Sequence, residues 1–175
     1  IGVAIFLAAT ATMLRAARSR PLAILCRHSS TTTTSTAAAL NHCVDLVRDF
    51  DRERYIANLH APQEARPGLF AVHAFNCETS KICATVSQEA AGRSRFAWWR
   101  DTLERSLAGE PPNHPVARAI AHANQSHSLT RRHLTRLLDA REAELVTKQP
   151  RNIEELRLYA ERTAGSLLLL GLECA

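Results

Sequence analysis

Turn-forming residues and aromatic rings are scarce in this chain. Its 175 residues include 6 Gly, 7 Pro, 5 Phe, 2 Trp and 2 Tyr, too few for the short strands and frequent tight turns of a β-sandwich or barrel. Acids are missing from the front: no Asp or Glu precedes Asp45, whereas Arg15, Arg18, Arg20 and Arg27 do. From Asp45 onward, 18 basic residues face 17 acidic ones. The net charge of +5 therefore belongs mostly to the N-terminus and is no nucleic-acid footprint over the folded part. Paired cysteines are absent as well. Cys26, Cys43, Cys77, Cys83 and Cys174 are odd in number and scattered, with no C-x-x-C, so they read as buried or idle thiols in a reducing compartment. Glycine-rich phosphate loops, G-x-S-x-G and H-E-x-x-H are also missing. An apolar share of 46% with 22% charged residues excludes a wholly disordered chain and a polytopic membrane protein.

What is there begins with an address. From the single Met13, residues 13–39 read MLRAARSRPLAILCRHSSTTTTSTAAA, with arginines set among Leu, Ala and Ile and no acid. That is the composition of a mitochondrial transit peptide, which forms a basic amphipathic helix and is removed after import. The apolar run at residues 1–12 lacks a basic stretch before it and is too short to span a bilayer. The expected organisation is a targeting or disordered segment over residues 1–36, followed by a helical domain over 37–175.

Helical periodicity governs the remainder. A first helix is expected over residues 38–58 with Leu40, Cys43, Val44, Val47 and Phe50 on one face. A second runs over 67–86, and a third from a Ser87 cap to Gly109 carries Phe96, Trp99, Leu103 and Leu107. Pro115 suits the first turn of a short helix with Val116, Ile120 and Ala121. Thr130 caps a fifth, with Leu134, Leu137, Leu138 and Leu145 inward and the stem of Arg141 beside them. Asn152 and Glu155 form a capping-box variant ahead of a last helix through Leu156, Tyr159, Thr163 and Leu167. Residues 167–172 are apolar on all sides, which predicts a helix buried at the centre of a larger fold. A covering partner or a further part of the same fold is then expected.

Single motifs carry little chemistry. His73 and Cys77 share a helix face with Glu78 adjacent, a spacing open to a metal, but no second pair accompanies them and a core role is preferred. His122, His127 and His133 share no helical spacing. Asp45 with Asp49, and Asp139 with Glu142 and Glu144, could chelate Mg²⁺ in pairs. Their arginine neighbours Arg48, Arg52 and Arg141 favour a solvated, salt-bridged face. Arg131, Arg132 and Arg136 form a small basic patch without a DNA-reading module. Trp98 and Trp99 read as core or groove wall.

Three strings carry a resemblance: RPGLFAVHAFNCE, FAWWRDTLERSLAGEPPNHPVARAIA and LTRRHLTRLLDAREAEL. With RNIEELRLYAERTAGSLLLLGLE following in order, residues 42–175 resemble the squalene/phytoene synthase family. The resemblance implies an all-α fold, an incomplete terpenoid-synthase-like one. Enzymes of that family join prenyl diphosphates, with two aspartate-rich motifs holding Mg²⁺ against the departing diphosphate. The first motif, D-D-x-x-D, follows an A-F signature. After Ala74 and Phe75 here, the aspartate positions fall on Ser80, Lys81 and Ala84. None can serve as a magnesium carboxylate, and the second motif belongs to a later part of the family's chain. The forms A-F-N-x-E at 74–78, P-x-E-x-R at 62–66 and R-N-I-x-E-L at 151–156 resemble the family's non-catalytic mitochondrial branch. That resemblance implies a pseudoenzyme without catalytic residues, metal or cofactor. It implies a place on the matrix side of the inner membrane, peripherally associated, and partners among complex I subunits or assembly intermediates. No nucleic acid is implied, and a residual prenyl or lipid ligand is open. The alternative is an active Mg²⁺-dependent prenyl transferase of isoprenoid biosynthesis.

Overall fold

The computed structural model describes residues 31–147 and 149–175. Most of the transit-like segment therefore lies outside the described residues. Among the described residues eight α-helices follow in order: α1 Thr31–Phe50, α2 Arg52–His60, α3 Arg66–Thr85, α4 Glu89–Leu107, α5 Pro115–His127, α6 Arg131–Ala143, α7 Ile153–Ala160 and, after a π-helical turn at Glu161–Gly165, α8 Ser166–Cys174. Among the described residues there is no strand, and no helix is long and apolar enough to cross a membrane.

Local chemistry sets most boundaries. Pro115 opens α5, where its missing N–H costs nothing. The side chain of Asn152 accepts from the Glu155 amide at 2.8 Å, and the Glu155 carboxylate accepts from the Arg151 amide at 2.8 Å. Gly109 takes a positive φ of 87° just past α4, a conformation that costs glycine little.

Two expectations need correction. The single first helix breaks at Asp51, which leaves the helical region (φ −147°, ψ 72°) and caps α2 by accepting from the Arg54 amide. An aspartate inside a helical period competes for the backbone in this way. Ser87 does not cap α4; Gln88 holds that place without a side-chain bond. Within residues 167–172, Leu167 and Leu170 are buried while Leu168 and Leu172 are 67% and 64% exposed, an apolar face of the kind for which a covering element is expected.

The centre is α3. It packs against α2, α4, α5, α6 and α8 and buries residues on every side, from Gly68 and Phe70 through Cys77 to Thr79 and Ile82. Small residues make this possible. A methyl group at Gly68 would lie 2.7 Å from Cys174 Sγ on α8, so that crossing requires hydrogen in its place. Phe75 meets Trp99 of α4 edge-on, centroids 5.2 Å apart. Cys43 and Val47 bring α1 to the same core.

Candidate functional site

Between α2, α3 and α8 lies a cavity of about 370 Å³. Leu69, Leu167, Leu168 and Leu172 form apolar walls, and Arg54 and His73 supply its polar members. Arg54 is tied to its own helix cap by an ion pair with Asp51. His73 is buried, and its Nδ1 lies 3.0 Å from Asn58 Nδ2. An amide nitrogen only donates, so Nδ1 accepts and the ring proton sits on Nε2. Burial, reinforced by the Arg54 charge and opposed by Asp51, lowers the His73 pKa to about 4. The arrangement is a neutral ring and one paired cation on leucine walls. It can hold an apolar chain with a polar end.

His73 and Cys77 are thus core residues. Burial pushes the Cys77 thiol up to about 11, which leaves it protonated and a poor metal ligand at neutral pH. No group of three or more His, Cys, Asp or Glu that could hold a metal ion occurs among the described residues.

Ser80, Lys81 and Ala84 occupy the last turns of α3. The Ser80 hydroxyl donates back to the Cys77 carbonyl at 3.0 Å. Lys81 Nζ stands 3.1 Å from the centroid of the Phe50 ring at the end of α1, and Ala84 is exposed. These positions together present a hydroxyl, an ammonium and a methyl.

A second polar centre escapes sequence reasoning. Arg141 donates to Glu144 Oε1 at 3.0 Å, to the Tyr159 hydroxyl at 2.6 Å and to Asn76 Oδ1 at 3.2 Å. The Tyr159 hydroxyl in turn donates to Glu144 at 2.7 Å. Burial, together with the bond to Glu144 and against the pull of Arg141, moves the tyrosine up to about 12. The arginine side chain is only 15% exposed: its stem lies inward as expected, while the expected solvated head is corrected to an inward lock joining α3, α6 and α7. The available signal was Asn76, a polar side chain in an apolar helix that needs a partner. Asp139 does face outward and shares Arg100 with the half-buried Glu142, and Asp45 and Asp49 share Arg48. The basic patch is largely neutralised: Arg131 pairs with Glu104 and Arg136 with Glu161.

Comparison with known proteins places this geometry in context. Residues 47–175 match the family model for squalene/phytoene synthase. The chain is 41% identical over 133 residues to NADH dehydrogenase (ubiquinone) complex I, assembly factor 6 of Homo sapiens, covering 76% of this chain and 40% of that protein. The homolog of Drosophila melanogaster is 34% identical over 138 residues, 75% of this chain and 41% of its own. That of Dictyostelium discoideum is 30% identical over 137 residues, 78% and 38%. The chain thus spans about 40% of the length of these curated relatives. Among solved structures, a dehydrosqualene synthase in complex with ligand superposes with a TM-score of 0.71 at 20% identity, over 81% of this chain and 48% of that one. At that identity the likeness establishes the fold: all-α and terpenoid-synthase-like.

Proposed function

The chain belongs to the squalene/phytoene synthase family, and from that membership we propose that it acts without catalysis, as an assembly factor for mitochondrial complex I (NADH dehydrogenase). The similarity to relatives that carry this name, from human to slime mould, carries the reading. The chemistry of α3 supports it. With Ser80, Lys81 and Ala84 at the family's aspartate positions, the donor set does not fit Mg²⁺, which takes carboxylates. The Lys81 ammonium would repel the ion, and no diphosphate departure is derived through such a site. On this reading no residue of the chain is catalytic.

Residues 1–36 then serve as the mitochondrial address and 37–175 as the folded part. The protein works on the matrix side of the inner membrane, peripherally associated, on complex I subunits or assembly intermediates. A second reading rests on the leucine-walled cavity beside Arg54 and His73: a prenyl or lipid ligand is retained there without chemistry. Incubation of the purified protein with Mg²⁺ and farnesyl diphosphate tests the non-catalytic claim. Unchanged substrate is expected, and any condensed product would establish the transferase alternative instead.

A further inference from the structure

On another side of α3, facing α4, lies a second groove of about 360 Å³. Trp98, Trp99 and His114 form an aromatic cluster there, their ring centroids 5.0–5.4 Å apart and mutually edge-on. Trp99 belongs to the core, but Trp98 is 44% exposed. Lys81 and Arg95 line the same groove, together with Glu78. These two cations differ from most arginines around them. Arg48, Arg93, Arg100, Arg131, Arg136 and Arg141 each pair with a carboxylate. Arg95 instead donates to the Thr85 hydroxyl at 3.0 Å, and Lys81 rests on the Phe50 ring. Among the described residues neither has a carboxylate partner.

We infer that this groove docks an acidic peptide segment of a partner protein, its carboxylate between Lys81 and Arg95 and an adjacent apolar side chain against Trp98. Two cations that outnumber the groove's single carboxylate, beside a half-exposed tryptophan, are complementary to that pairing, and Trp and Arg are the residues on which binding energy concentrates at interfaces. The sign mixture selects a peptide over a lipid surface. Glu78 would repel a phosphate-dense face, whereas a peptide backbone can donate its N–H groups to that carboxylate while its own acid engages the cations. The site is concave, which suits side chains better than a bilayer. This inference deepens the assembly reading by giving the chemistry of one contact, and it rests on that reading only in taking the partner to be a protein.

The test is selection from a random dodecapeptide phage library on the intact protein. Affinities of the selected peptides are then measured against wild type, the charge-reversed double variant K81E/R95E and W98A. Vesicles of phosphatidylcholine with an anionic lipid provide a second arm. Selected peptides should carry Asp or Glu next to Leu, Phe or Trp, and should lose about tenfold or more in affinity with each variant. Thermal midpoints are recorded in parallel, and W98A, which alters an exposed ring, keeps the test decisive if the double variant fails to fold. No enrichment, enriched peptides without an acid, equal affinity for W98A, or Trp98-dependent vesicle binding in place of peptide binding would each overturn the inference. The variant comparison reads this groove alone, so it can fail while deletion of the gene still impairs complex I, and the reverse also holds.

Discussion

Asn58 of α2 and His73 of α3 meet at 3.0 Å inside the protein, amide nitrogen to ring nitrogen. That contact fixes the tautomer of a buried imidazole and fastens the short α2 to the central helix. It also sets a pH dependence. In the unfolded chain His73 takes up a proton near its ordinary pKa of 6.5, but in the fold only near 4. The unfolded chain therefore binds more protons between those values, and stability falls as pH drops from about 6.5 to about 4. Above that window the contribution is fully present. The loss is on the order of 3 kcal/mol, to be read from urea midpoints at pH 7 and pH 4.5, and His73→Gln should flatten the difference.

Removing the Arg141 guanidinium takes a donor from the buried Asn76 and leaves the half-buried Glu144 with the Tyr159 hydroxyl alone. Arg141→Met should lower unfolding free energy by about 1–3 kcal/mol, the cost of stripping hydrogen bonds to a charged group from a half-buried network. Tyr159→Phe, which deletes one hydroxyl from the same network, should cost about 1 kcal/mol. Denaturant titrations of the two variants separate these magnitudes.

The crossing of α3 and α8 depends on a missing methyl. Gly68→Ala should destabilise the protein by about 1–3 kcal/mol, because the added carbon overlaps Cys174 Sγ. Adding Cys174→Ala to that variant should recover part of the loss. A double-mutant cycle on thermal midpoints measures the recovery.

If the leucine-walled cavity retains a ligand, its exposed walls offer a clean probe. Leu168 and Leu172 are mostly exposed, so Leu168→Asp with Leu172→Asp should change stability little. Farnesol should raise the thermal midpoint of wild type and leave that of the double variant unmoved. An equal shift in both would place the binding elsewhere.

Much of this architecture was legible in the sequence because its signals are local. Pro115, the Asn152–Glu155 pair and Gly109 mark helix ends through interactions within a few residues, and α3 through α6 follow from spacing alone. What escaped depends on partners far away in sequence. The inward turn of Arg141 is set by Asn76, 65 positions earlier. The burial of α3 on all sides depends on which helices surround it, which periodicity does not encode. The break at Asp51 lies between these cases, since a cap residue inside a helical period permits either outcome until packing of α2 on α3 decides it. At the candidate site, Ser80, Lys81 and Ala84 were readable as residue types, whereas the Trp98 groove required the fold to bring α3 and α4 together.

The central claim is a binding role in complex I assembly, and native gel electrophoresis of mitochondrial membranes from cells lacking the gene tests it most directly. The account predicts depleted mature complex I, restored by re-expression of the full-length protein, with the other respiratory complexes unchanged. Normal amounts of active complex I in the deleted cells would contradict it.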